Sequence, residues 1–166
     1  MMDQKKIQEL ISRSQQEDAA AFSLLVSTFQ PLVFRLAFRL LCDEDEAKDM
    51  VQETFVKVWL ALGKYNGECR FSTWIYKITC NTCYDRLRSL YHSPLDNEAD
   101  YSVSVNISSD DNVELAVVNK QLRELILRYT DELSPRQRLI FTLRDIEELD
   151  VPEVQTITGL LPESLK

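Results

Sequence analysis

The chain has 166 residues, 45% hydrophobic and 28% charged, with a formal net charge of -8. That is the balance of soluble globular protein, enough for one domain or two small ones, and too acidic for a chain that grips nucleic-acid phosphates unaided. No run reads as apolar enough to span a bilayer, and the opening MMDQKKIQELISRSQ has no apolar stretch resembling a signal peptide, so the expectation is a cytoplasmic protein without membrane insertion.

Glycine is scarce (Gly63, Gly67 and Gly159) and apolar residues recur at helical rather than strand spacing, which predicts an all-α protein. A mostly polar first helix spans roughly Asp3 to Ser14. A second begins near Glu17 and carries Phe22, Leu25, Val26 and Phe29 at helical spacing. Pro31 is expected to interrupt or kink it before an apolar face resumes from Leu32 to Leu41. CDEDEA then reads as a charged break. Ala47, Met50, Val51, Thr54, Phe55, Val58, Trp59 and Leu62 follow the i, i+3, i+4, i+7 rule closely. Gly63 and Gly67 bracket a loop, and a long helix is predicted from about Ser72 to Tyr91.

From Ser93 to Asn112 the chain is short of large apolar residues and has no Lys or Arg, which predicts a flexible acidic linker. The division is therefore 1–92, linker 93–112, and a second helical domain over 113–166. In the latter, Leu115, Val118, Leu122, Leu125, Ile126 and Tyr129 mark one helix. Ser134-Pro-Arg-Gln137 starts another with a capping box and a first-turn proline, burying Leu139, Ile140 and Leu143. A short helix is expected near Pro152 to Thr158, capped by Asp150 with Glu153 and ended by Gly159, with a further helix opening at Pro162. Short helix, glycine turn and new helix fit a helix-turn-helix.

No phosphate loop, metalloprotease motif or nucleophile–histidine arrangement is present, so no enzyme is expected. Cys80-x-x-Cys83 has the spacing of a redox or zinc pair, but it lies inside a predicted helix, without a second such pair and with only His92 for company. Both cysteines are expected to be small buried residues, with no metal and no cofactor.

Two surfaces carry more information. Asp45, Asp49, Gln52 and Glu53 share one polar face, with Glu46 and Lys57 at its margins; it reads as a solvated face or as a docking face for a basic partner helix. The stretch from Lys64 to Ser89 is locally basic, with Lys64, Arg70, Lys77, Arg86 and Arg88 among Tyr65, Phe71, Trp74, Tyr76 and Tyr84. One face must be core, yet aromatic rings that stack on bases beside cations that hold phosphates suit single-stranded DNA.

DEDEAKDMVQETFVKVW followed by YNGECRFSTWIYKITCNTCYDRLRS resembles the second conserved region of the extracytoplasmic-function (ECF) sigma factors of the sigma-70 superfamily, and LSPRQRLIFTLRDIEEL resembles the start of their fourth. The resemblance implies an RNA polymerase sigma factor that directs core polymerase to promoters and assists their opening. It implies docking of Asp49, Gln52 and Glu53 on the β′ clamp helices. It implies capture of the promoter −10 element by Arg70, Thr73, Trp74, Lys77, Asn81 and Arg88, with a flipped base held by the loop from Tyr65 to Ser72. The second domain would touch the β flap and read the −35 element. Family members carry several basic residues beyond this point, whereas here Glu163, Ser164 and Lys166 are what remains of that contact set. An anti-sigma factor is the implied inhibitor. The rival readings are a helix-turn-helix regulator that binds duplex DNA without polymerase, which needs a basic recognition helix, and a helical adaptor that binds proteins only.

Overall fold

The computed structural model describes residues 3–91, 120–122, 124–126, 128–129 and 133–160, and among these there is no strand. The predicted linker, the second domain's start at Val113, the helix opening at Pro162 and the −35 residues Glu163, Ser164 and Lys166 lie outside the described residues.

Helix α1 spans Gln4–Ser14 and buries Leu10 and Ile11, one stripe of a polar helix. Helix α2 spans Ala19–Leu41. The Asp18 side chain caps it, accepting from the backbone N–H groups of Ala20 and Ala21 at 3.0 Å each. These bonds and Arg13 hold the Asp18 carboxyl below its ordinary value, as expected where a carboxylate meets a helix N-terminus.

Two expectations need correction in this helix. Pro31 does not interrupt it: the helix runs through. The exposed side of the helix carries Ser27 and Pro31, so water can serve the carbonyl that loses its backbone donor. The second correction is that α2 is long and apolar enough to cross a membrane by length and composition. One apolar face of it is spent inside the protein instead, with Ala21, Leu25, Phe29, Val33, Leu36, Ala37 and Leu40 all buried.

The charged run after α2 does hold a break, at Cys42 and Asp43, and its remaining acids open the next helix. Cys42 takes a left-handed conformation and ends α2. Asp43 then accepts from the N–H of Glu46 at 2.9 Å, and Glu44, Asp45 and Glu46 form the first turn of α3, Glu44–Ala61. Acids at a helix N-terminus complement its partial positive charge. Helix α4 spans Phe71–Tyr91.

Helices α1 to α4 share a core that includes Leu25, Phe29, Val33, Val51, Phe55, Val58, Phe71 and Ile75. Ile75 is fully buried there. Ile75→Ala is expected to cost about 2–5 kcal/mol, through lost burial and the cavity left behind. Urea unfolding followed by circular dichroism would measure it.

Toward the C-terminus, α5 spans Pro135–Phe141 and α6 spans Val151–Thr158. Both open with the predicted capping boxes, Ser134 with Gln137 and Asp150 with Glu153. Gly159 ends α6 at φ 69°, where a side chain would be strained. Between them, Thr142–Ile146 form a wide π-helical turn.

A second core joins the two ends of the chain. Leu36, Ala37 and Leu40 of α2, Ala47 and Met50 of α3, and Cys80, Cys83 and Leu87 of α4 cluster with Leu139, Leu143, Val154 and Ile157. The π turn brings Glu147 into this seam. Its carboxylate accepts a hydrogen bond from the Tyr76 hydroxyl at 2.8 Å and pairs with Arg39 of α2.

Burial, then the bond to Glu147 and its charge, push the Tyr76 phenol from 10.0 up to about 12, with Arg35 opposing. A folded pKa above the unfolded one means that the stability Tyr76 contributes is complete below about pH 10 and is lost as pH rises toward about 12. The difference in 295 nm absorbance titration between the wild type and Tyr76→Phe should show this late-ionising phenol.

Candidate functional site

The face of α3 turned away from both cores carries Asp45, Asp49, Gln52 and Glu53, all exposed. The helical repeat continues this face into Val56 and Leu60, which are 58% and 75% exposed. So the surface is acidic and amide-bearing at one end and apolar at the other. Glu53 pairs with Lys57 at 2.7 Å, an exposed i, i+4 pair worth little by itself. Lys57 also donates to Thr82 Oγ1 at 3.2 Å, marking the border with α4. The apolar end was missed in the sequence because Val56 and Leu60 sit among the apolar residues of the α3 stripe. Only the helical phase separates them from buried Phe55 and Val58.

Between α3 and α4 the chain makes a tied loop. Tyr65 is buried and donates its hydroxyl to the Cys69 carbonyl at 2.7 Å. The Asn66 side chain accepts from the Glu68 N–H at 3.2 Å, and Gly67 follows at φ 79°. The Gln15 side chain, at the end of α1, donates to the carbonyls of both Leu62 and Tyr65 at 3.0 Å. Nothing in the sequence singles out Gln15, since its partners lie 47 and 50 residues away.

Beyond the loop, Arg70, Thr73, Trp74, Lys77, Asn81 and Arg88 fall on one side of α4. Arg70, Lys77, Asn81 and Arg88 are exposed, while Thr73 and Trp74 are half-buried. Trp74 leans on Tyr65 and Phe71, with ring centroids 5.2 and 5.6 Å away. The Arg88 guanidinium lies over the Tyr84 ring at 5.8 Å. Three exposed cations thus line a helix whose half-buried Trp74 sits beside them.

Arg86 is a different case. It forms a two-pronged pair with Glu46 of α3, both bonds 2.6 Å, which holds its pKa above the ordinary value. This cation ties α4 to α3, so helix packing claims one of the five cations of the basic stretch. Phe71 is likewise core, and Tyr76 belongs to the second cluster.

A model of sigma-70 region 2 matches residues 25–92. The chain is 31% identical over 163 residues to the ECF RNA polymerase sigma-E factor of Escherichia coli, across 95% of this chain and 85% of that protein. The chain belongs to the ECF sigma factors of the sigma-70 family.

This sigma factor is also 29% identical over 163 residues to the RNA polymerase sigma-H factor of Pseudomonas aeruginosa, across 95% of its own length and 84% of the relative's. Its fold resembles that of CnrH, solved in complex with the cytosolic domain of CnrY, with a TM-score of 0.65 at 20% identity over 96% of this chain and 87% of that one. As a sigma factor it directs core RNA polymerase to specific promoters and assists promoter opening in transcription initiation. The polymerase-independent regulator is not favoured.

Proposed function

We propose that this sigma factor works by binding alone: α3 docks on polymerase, and α4 with its preceding loop captures the opened −10 strand. The observation that carries this is the separation of chemistry between the two helices. Asp49, Gln52 and Glu53 crowd one exposed face of α3, while Arg70, Lys77 and Arg88 share one side of α4. Acidic side chains suit a basic partner helix, and the β′ clamp helices are the expected one. Cations flanking Trp74 suit an unpaired, negatively charged strand. Tyr65 and Gln15 hold the loop in shape, so a flipped base would meet a tied loop rather than a floppy one.

The same reading assigns residues 113–166 to a separate helix-turn-helix unit that touches the β flap and contributes to −35 recognition through Glu163, Ser164 and Lys166, joined by the acidic linker 93–112. The net charge of -8 fits a protein that borrows most of its DNA affinity from the core enzyme. It acts in the cytoplasm, where a protein inhibitor of the anti-sigma type is the expected regulator; CnrH, of similar fold, was solved with a protein partner. The test is binding of the purified chain to core RNA polymerase, wild type beside Asp49→Arg/Glu53→Arg. Tight binding lost in the variant supports the docking face, and equal binding by both would move that face elsewhere.

A further inference from the structure

We propose that Gln15, just past the end of α1, is a positioning residue for promoter selectivity: without touching DNA, its side chain sets the shape of the loop over residues 65–70 and with it which unpaired base the loop accepts. The selectivity rests on the base-capture role proposed for that loop; the tie between Gln15 and the loop does not.

The end of α3 leaves backbone carbonyls that need donors from outside the helix. One carboxamide nitrogen serves two of them: Gln15 Nε2 donates to the Leu62 and Tyr65 carbonyls at 3.0 Å each. Both N–H groups of that amide are thereby committed to the entry of the loop. The far end is tied by the Tyr65 hydroxyl, which donates to the Cys69 carbonyl at 2.7 Å. The Tyr65 ring is wedged against Phe71 and Trp74, with centroids 5.3 and 5.2 Å away. Tyr65 therefore links the two ties, through its carbonyl to Gln15 and through its hydroxyl to Cys69. Between them Asn66, Gly67 and Glu68 stand exposed.

The backbone that aims Gln15 is itself locked. The N–H groups of Gln16 and Glu17 donate to the Arg13 and Ser14 carbonyls at 3.0 Å each, and that of Asp18 donates to the Arg13 carbonyl at 3.2 Å. Glu17 turns the chain at φ 64°, a conformation uncommon for a residue with a side chain. The Arg13 guanidinium closes the turn on the Asp18 carboxylate with bonds of 3.0 and 2.7 Å. Seating α1 does not require Gln15, because Leu10, Ile11 and Ser14 are buried while Gln15 is exposed. Its two bonds go to the loop entry alone.

Bases are told apart by the placement of a few donors and acceptors, so the groups that read them must be held to within about 0.5 Å by side chains behind them. Asn66 and Glu68 carry such groups, and their backbone lies between the carbonyls that Gln15 and Tyr65 fix. Freeing the entry lets the loop adapt to more than one base, which lowers selectivity before it lowers binding.

The experiment has two arms, both on the full chain. Hydrogen–deuterium exchange followed by mass spectrometry reads the tie. Gln15→Met keeps the length and removes the donors, and should speed exchange over residues 62–70 about threefold or more while α1 and α4 stay unchanged. Gln15→Lys restores a donor and should exchange nearly as the wild type does. Unchanged exchange in Gln15→Met would overturn the tie. Gln15→Glu, also without donors, replaces it if the Met variant loses its helical circular dichroism. The second arm sequences open complexes that holoenzyme forms on a pool of promoters randomised through the −10 region. Asn66→Ala and Glu68→Ala identify the position that the loop reads. Gln15→Met should flatten the base preference at that same position about fivefold, with core binding unchanged, and Gln15→Lys should recover it. A uniform fall in open complexes with base ratios preserved would make Gln15 merely structural and overturn the inference. If the loop variants shift no position, the base-capture reading itself fails and the selectivity falls with it, whereas a shift by them and none by Gln15→Met sinks this inference alone.

Discussion

Asp49→Arg/Glu53→Arg should weaken binding to core RNA polymerase by at least ~100-fold, about 2.7 kcal/mol. Reversal is expected to act twice at each position. It removes an attraction and sets a like charge against the basic partner, a juxtaposition worth several kcal/mol. Both residues are exposed, and Glu53 gives up only a surface pair with Lys57, so the fold should hold within about 0.5 kcal/mol. The apolar end of the face adds a second handle. Leu60, 75% exposed on the same face, should contribute by burial at the contact, and Leu60→Asp should weaken binding without unfolding the helix. Titration of labelled core enzyme with each variant, beside a thermal melt, separates these outcomes. Binding kept by the charge variant but lost by Leu60→Asp would mean that docking uses the apolar end of α3.

Removing the α4 cations should be the second large effect. Arg70→Ala/Lys77→Ala/Arg88→Ala is expected to leave core binding intact and to lower open-complex stability roughly 100-fold. The salt dependence identifies the cause. Each phosphate contact on a single strand contributes about 0.7 to the slope of log K against log salt, so three lost contacts should flatten it by about 2. A lower affinity with an unchanged slope would mean that these side chains do not touch phosphates. Arg86→Ala makes an informative companion, because Arg86 is held by Glu46: its loss should show in the melt and hardly in the salt slope.

The local structure of this chain was legible because it rests on local physics. Capping boxes at Ser134 and Asp150, the Gly159 stop and the helical stripes of α3 and α4 each involve residues a few positions apart, and all appear where spacing predicts them. The family was legible for a related reason: a run of polar and aromatic residues at fixed spacing along two helices survives as a pattern. Reading went astray where a residue's local signal is ambiguous. Pro31 looks like a break, but on an exposed helix face inside a well-packed element its cost is tolerated. The break expected around Cys42 is real but only two residues long, because the acids that follow are favourable at the start of α3.

What the tertiary structure alone decided is which side chains were left over for function. Arg86 and Arg88 are two residues apart and equally cationic, yet one is claimed by Glu46, 40 residues away, and the other faces solvent. Val56 and Phe55 are neighbours of similar hydrophobicity, and helical phase against α2 and α4 buries one and exposes the other. Glu147 looks in the sequence like one more acid among many. It becomes a bridge only because the π turn carries it to Arg39 and Tyr76, 108 and 71 residues away. Sequence by itself determined the helices, their caps and the family, since those depend on neighbours along the chain. Packing across the chain decided which charges are structural, which apolar residues are exposed, and how the two ends meet, because burial and ion pairing depend on neighbours in space.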